Sequence, residues 1–308
     1  MSVSDRHFSH HPLLGTNLNV SVGGVGDSDA RLLDQLIVDE VERLEAILSR
    51  FRPESALERW KRDELSVVPP ELSSVLDRAQ HWVAITGGAL DPRAGVFSEL
   101  WRRSAQRGRR PDPDEIDVLL QQLRQPGFEI DTSGRVQRVG DCSALDVHGF
   151  AKGWIVDRAL QAAAAATPNA SVVINAGGDV ARHGSGHTVV TIEDPHRPYD
   201  NAAPIDRVAL RAGGLATSGN AHQGIEVDGR RYSHIIDPRT GEPANGAASV
   251  SVIADTAESA DAWATALMLA HPHDVVAVAE AANVGVFAVL ADRSVLANER
   301  WHAHRIAS

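Results

Sequence analysis

From Ser171 onward the chain becomes a series of short β-rich runs broken by Gly, Pro and Asp, and this pattern most restricts its fold. Residues 172–174, 187–192, 207–210 and 250–253 are such runs. Asp228-Gly229, set between residues 226–227 and 230–236, is a strong two-residue hairpin signal. Residues 284–290 and 294–296 make a final hairpin. The expectation is a largely antiparallel sheet.

The first half reads differently. Residues 17–22 alternate polar and apolar, as a strand does. Leu32, Leu33, Leu36, Ile37, Val41, Leu44 and Ile47 then follow at helical spacing. Residues 70–86 predict a second helix stopped by Gly87-Gly88, and residues 147–166 a third, ended by Thr167-Pro168. Residues 109–114 read as a loop leading into a short helix, and further helices are expected over about 256–283. At 308 residues and 43% hydrophobic content a sizeable core is available. No internal repeat or long linker divides the chain. The fold class expected is therefore α+β, a single large domain of mixed, mostly antiparallel sheet packed with helices. Residues 1–12, polar with three histidines in the first eleven, are expected to be a flexible segment ahead of a domain over 13–308.

Charge and cysteine usage exclude several functions. A net charge of −11 argues against a nucleic-acid partner, which needs clustered Lys and Arg. The one basic run, Arg102, Arg103, Arg107, Arg109 and Arg110, reads as a solvated loop. Cys142 is the only cysteine, so an intramolecular disulfide or a thiolate cluster is impossible. The first eleven residues hold no apolar run long enough for a signal peptide or membrane helix. A cytoplasmic location without membrane insertion is the expectation.

Three segments can carry chemistry. In Asp146-Val-His-Gly-Phe-Ala-Lys-Gly, Lys152 falls near a helix start, where the macrodipole disfavours a cation unless an anion such as a phosphate lies between them. Gly149 and Gly153 allow close backbone approach, and the Gly149 carbonyl could face a cation. The same residues also suit a helix capped by Asp146 with a solvated lysine. Asp261 and Thr265, four apart on a helix begun by Asp255 and Glu258, offer two hard oxygen ligands for Mg²⁺ or Ca²⁺. They equally suit the polar edge of an amphipathic helix. Ser233-His-Ile-Ile-Asp-Pro-Arg-Thr-Gly runs from a strand into a turn, where His234 is a candidate general base and Asp237 either orients it or forms the turn. Asn175-Ala-Gly-Gly-Asp179 and Thr217-Ser-Gly219 are Gly-containing turns without a Rossmann or P-loop spacing.

In this order the segments resemble the ApbE family of flavin transferases, the FAD:protein FMN transferases. The likeness also takes in Gly15-Thr16, Ser49-Arg-Phe51 with Ser55, and Ala89-Leu-Asp91-Pro, and extends to the helix carrying Met268. It implies an ApbE or T-fold-like architecture. It implies a flavin site from Leu14, Phe51, Ala89, Leu90, Asp91, Asp146, Lys152 and Ile235, and a metal held by the Gly149 carbonyl, Asp261 and Thr265. FAD would be the substrate with Mg²⁺ or Ca²⁺, and the partner an acceptor flavoprotein modified on a Thr or Ser hydroxyl, with AMP released. The same residues would suit a metal-dependent FAD pyrophosphatase or a non-catalytic FAD-binding protein. Three positions depart from the family pattern: Arg93 stands for a threonine, His148 for a glycine and Leu14 for a methionine.

Overall fold

A computed structural model describes residues 5–199, 202–220 and 224–306. Arg6–Leu13 (β1) and Thr16–Gly23 (β2) open the chain as a hairpin, followed by α1 (Asp27–Leu48) and a short α2 (Ala56–Lys61). Three more helices follow, α3 (Pro70–Ile85), α4 (Gly95–Arg107) and α5 (Pro113–Leu123), and then the small hairpin β3 (Phe128–Ile130) and β4 (Val136–Arg138). The long helix α6 (His148–Ala166) leads into β5 (Ser171–Ala176), β6 (Asp179–His183), β7 (Thr188–Ile192), β8 (Asp206–Leu210) and β9 (Gly213–Gly219). A hairpin of β10 (Ile225–Val227) and β11 (Arg230–Tyr232) precedes β12 (Ala247–Ala254). The chain closes with α7 (Ala257–Met268), α8 (Val275–Ala281), β13 (Gly285–Leu290), β14 (Val295–Ala297) and α9 (Glu299–His302).

Eight strands form one sheet in the order β1-β2-β5-β6-β9-β12-β13-β14, with antiparallel neighbours throughout. Helices cover one face. α1 buries Leu33, Ile37, Val41, Leu44 and Leu48, one stripe at helical spacing. α7 is buried nearly all round, and α6 mainly over residues 150–156, because each lies between the sheet and other helices. On the other face the β7–β8 hairpin and α9 pack Ile192, Val208, Leu210 and Trp301 against Val180, Leu215, Phe287 and Val289. Trp301 Nε1 donates to Asp206 Oδ2 at 2.9 Å, fixing this second layer.

Local chemistry explains the ends. Gly87 and Gly88 both take positive φ after α3, and Gly88 N–H donates to Val83 O, as expected of a glycine stop. Asp112 and Glu115 form a capping box for α5. Elsewhere the expectations are corrected. Residues 6–12, read as part of a flexible segment, belong to β1, whose register with β2 runs from Arg6↔Val22; residues 1–4 lie outside the described residues. Arg102, Arg103 and Arg107 are not in a loop but on α4, whose buried face of Phe97, Leu100 and Trp101 gives it a partner layer. Arg107 pairs with Glu115, Arg109 with Asp112 and Arg110 with Glu242. The second strand of the Asp228-Gly229 hairpin stops at Tyr232, and Ile236 makes only an isolated bridge to Pro243.

Candidate functional site

A cleft of about 1430 Å³ opens where the N-terminal end of α6 and the face of α7 carrying Asp261 and Thr265 meet the strand ends of β5, β6 and β9. At its base Lys152 Nζ lies 2.7 Å from the carboxylate of Asp179, which is almost wholly buried. Asp261, on α7, is buried beside them, and its Oδ2 accepts from Gly153 N–H at 3.1 Å. Thr265 Oγ1, one turn further along α7, lies 3.1 Å from Ser218 Oγ of β9. Two buried carboxylates thus share one lysine. Burial pushes the carboxyls of both Asp179 and Asp261 up; Lys152 pulls each down in part, and Asp179 adds to the rise at Asp261. Burial pulls Lys152 down, but Asp179 and Asp261 together hold it above the ordinary lysine range.

That excess of buried negative charge favours a bound cation. Among the described residues no three His, Cys, Asp or Glu side chains cluster as a metal site. The set that fits is mixed: a carboxylate, a hydroxyl and a main-chain carbonyl, all hard oxygens. The N–H that an ideal helix would give the Gly149 carbonyl is that of Gly153, and it donates to Asp261. Gly149 itself is pressed against Leu90, so that a Cβ would fall 2.7 Å from Leu90 Cδ1 and 3.7 Å from Thr265 Cγ2. Gly149, Asp261 and Thr265 therefore converge on one wall.

Several helices hold that wall. Asp157, one face of α6 below Lys152, accepts from Ala257 N–H at 2.9 Å and Glu258 N–H at 2.8 Å, the first two amides of α7. Burial pushes Asp157 up to about 6 against those two bonds, and Glu258 adds to the rise. Thr256 Oγ1 caps the third amide, that of Ser259. The helix start expected from Asp255 and Glu258 is thus made by Thr256 and Asp157, and Glu258 turns inward to accept from Trp82 Nε1 and Arg78 Nε, both at 2.7 Å.

The outer cleft is more apolar. Leu14, Ala89, Leu90 and Ile235 line it, and Phe51 stands at the mouth, 70% exposed. Arg50 lies over the Phe51 ring at 4.7 Å and His148 meets it edge-on at 5.5 Å. Asp146 joins them: Arg50 Nη1 donates to its Oδ2 at 2.6 Å, and His148 Nδ1 lies 2.6 Å from its Oδ1. Burial opposes charge on Asp146, but His148 and Arg50 hold its carboxyl below the usual range. Asp146 is not the cap of α6; that position is Val147. Asp91 lines the cleft with its carboxylate engaged by Arg93, whose guanidinium also donates to Leu123 O and Gln125 O. His234 lines the cleft on the far side, half-buried.

Asp237 does not join this site. It is absent from the cleft lining, and its carboxylate accepts from Arg239 N, Nε and Nη2 while its carbonyl closes the turn with Gly241 N–H. The expected orienting role is corrected to a turn-forming one. Every other candidate, Leu14, Phe51, Ala89, Leu90, Asp91, Asp146, Gly149, Lys152, His234, Ile235, Asp261 and Thr265, borders the one cleft.

Residues 14–290 match the ApbE family. This chain belongs to the ApbE family. The FAD:protein FMN transferase of Treponema pallidum is 30% identical to it, over 84% of this chain and 77% of the relative. That of Rhodobacter capsulatus is 31% identical over 94% of this chain, which spans 57% of that relative's length. The crystal structure of an ApbE protein from Thermotoga maritima superposes with a TM-score of 0.86, at 28% identity, covering 99% of this chain and 100% of the other. Within this ApbE chain the sequence singled out Asn175-Ala-Gly-Gly-Asp179 only as a turn, without assigning Asp179 to Lys152. Arg50 and Ser218 stood in the quoted segments without a role and Asp157 was missed, because each meets its partner far along the chain.

Proposed function

We propose that this chain transfers FMN from FAD to a serine or threonine hydroxyl of an acceptor protein, releasing AMP. One observation carries the reading: a buried pair of carboxylates sharing Lys152 lies at the base of a cleft whose mouth is apolar and aromatic. A dinucleotide with an anionic centre and a planar ring at one end suits such a gradient. Phe51 would offer its ring to the isoalloxazine, and Lys152 would contact the pyrophosphate. The Gly149 carbonyl, Asp261 and Thr265 would hold Mg²⁺ or Ca²⁺, which supplies charge neutralisation at phosphate oxygens when bound. The hydroxyl oxygen forms a new bond to the phosphorus on the FMN side, the bond from that phosphorus to the AMP oxygen breaks, and the hydroxyl proton passes to His234 as base. Family membership supports the transferase reading over hydrolysis or storage, since the relatives named above are FAD:protein FMN transferases. No helix of the described residues is long and apolar enough to cross a membrane.

The test is mass spectrometry of candidate flavoproteins after incubation with this protein, FAD and Mg²⁺, with AMP followed in parallel. An FMN mass gain lost in Asp261→Ala supports the proposal. AMP released at full rate without any acceptor gain would make the protein a pyrophosphatase. An unchanged transfer rate in His234→Ala would remove the base assignment alone.

A further inference from the structure

We propose that the acceptor docks as an added β-strand along the free edge of β7, carrying its hydroxyl into the cleft; this rests on transfer to a protein hydroxyl as proposed above. Among the described residues β7 pairs only with β8, from Thr188↔Leu210 to Ile192↔Asp206. On its other side β8 meets the C-terminal segment, where Ala209 N–H donates to His304 O and Ile306 N–H to Arg207 O. Arg207 and Ala209 therefore turn their backbone groups away from β7, and Asp206, Val208 and Leu210 turn theirs toward it. By the alternation of an antiparallel ladder, Thr188, Val190 and Ile192 bond to β8. Val189 and Thr191 are left presenting N–H and C=O at the opposite edge, with no strand paired there among the described residues.

That edge faces the cleft. All five residues of β7 line it. Successive side chains of a strand point to opposite faces, so a cavity touching both sets wraps around the edge between them. Val190 and Ile192 pack in the same apolar layer as Val180 and Leu215. Val180 follows Asp179, the partner of Lys152. The cleft that all five residues of β7 line is also lined by Asp179 and Lys152, so a strand added to β7 borders the same space as that pair. The cleft, at about 1430 Å³, also exceeds the roughly 300–1,000 Å³ common for a small-molecule pocket. Space remains for a polypeptide beside FAD.

Exposed sheet edges are ordinarily blunted by charge, proline or brevity. The outer strand β1 carries Arg6, three histidines and Pro12, and the outer strand β14 is three residues long. β7 reads Thr-Val-Val-Thr-Ile, with neither charge nor proline, and Val189 is half exposed. An unguarded edge continuous with a group-transfer site suits main-chain recognition of an extended, uncharged segment, in which the backbone supplies the bonds and the residue entering the cleft the specificity.

Proline at Val189 or Thr191 removes an outward N–H and leaves the β8 ladder intact, since proline is tolerated on such edges. The acceptor is the flavoprotein that gains FMN mass in the assay above. In Val189→Pro and Thr191→Pro its KM should rise roughly tenfold, the loss of about one backbone hydrogen bond, with FAD affinity by flavin fluorescence held. Amide exchange of the unaltered protein provides a check free of folding effects: residues 188–192 should gain protection when the acceptor is added. Wild-type KM in both variants, or no protection, overturns the edge proposal while transfer stands. Loss of FAD affinity in the proline variants assigns the edge to FAD and overturns it likewise. Protection that grows with protein concentration alone makes the edge a contact between copies, and again the proposal fails. FAD binding by the unaltered protein with no FMN gain on any acceptor would instead remove the transfer reading, and this one with it.

Discussion

Gly153→Ala isolates what holds the two halves of the site together. A Cβ at Gly153 would lie 2.3 Å from the Ala257 carbonyl oxygen, 2.6 Å from its carbon and 2.8 Å from Glu258 Cα. Ordinary contact begins at 3.4 Å, so α6 and α7 must part by about 1.1 Å (3.4 − 2.3) along that line. Both neighbours are backbone, and no rotamer change relieves them. Overpacking of this kind costs about 1–3 kcal/mol, of which the helix preference of Ala over Gly recovers about 1 kcal/mol. Overlap of backbone on backbone belongs at the upper end of that range, so a net loss of about 2 kcal/mol lowers the Tm by about 3 °C in a chain of 308 residues. The functional effect is larger. Lys152 rides on α6 and Asp261 on α7, joined by the Gly153 N–H bond to Asp261, and a displacement near 1 Å costs on the order of 10²-fold in rate. Calorimetry and a transfer assay run well below the Tm, with Mg²⁺ titrated, read the two effects separately. A lowered Tm with wild-type turnover and wild-type Mg²⁺ half-saturation would show that helix spacing does not set the site, and a wild-type Tm would show the contact is not rigid.

Asp261→Asn keeps an oxygen for Gly153 N–H but removes a buried charge, so transfer should be abolished and the Tm rise on adding Mg²⁺ lost, with the apo protein still folded; thermal scans with and without Mg²⁺ check it. Asp157 has its pKa raised to about 6, so its contribution to stability is full below its unfolded value near 4 and is lost as pH rises through 6. The span corresponds to roughly 3 kcal/mol, with Glu258, itself bonded to Arg78 and Trp82, the facing titratable group. Urea unfolding at pH 5 and 7.5 should show about half of this fall, roughly 1.4 kcal/mol, in the parent and not in Asp157→Asn; equal slopes would refute it. Arg93→Ala leaves the largely buried Asp91 carboxylate without its cation and should cost about 3–5 kcal/mol, measured by the same unfolding curves. Phe51→Ala should change stability by less than about 0.5 kcal/mol, because the ring is 70% exposed, yet weaken FAD binding several-fold through lost stacking, read by fluorescence titration.

Elements governed by local periodicity were legible in the sequence: the Leu33–Leu48 stripe of α1, the Gly87-Gly88 stop and the Asp228-Gly229 turn all stand where their residue types require. Elements that depend on a distant partner were not. β1 carries no apolar alternation of its own, because its burial is slight and its order comes from pairing with β2. α4 was hidden by its arginines: Arg107 finds Glu115 only once α5 is in place, and Arg110, just beyond the helix, lies over Tyr232 only once β11 is. The same division runs through the site. Lys152 was legible as a cation at a helix start wanting an anion, and Asp261 with Thr265 as oxygen donors one turn apart. What supplies Lys152's partner in the folded chain is Asp179, and that contact depends on β5 and β6 pairing to aim the turn between them at α6. Asp237 shows the converse error. A carboxylate three residues from a candidate base suggests an orienting group, but Arg239, two residues further on, lies nearer in the turn and engages both of its oxygens. Motif spacing therefore placed the groups proposed to act on a ligand, while the groups that position them, Asp157 and Glu258 among them, were set by where α7 docks on α6 and α3.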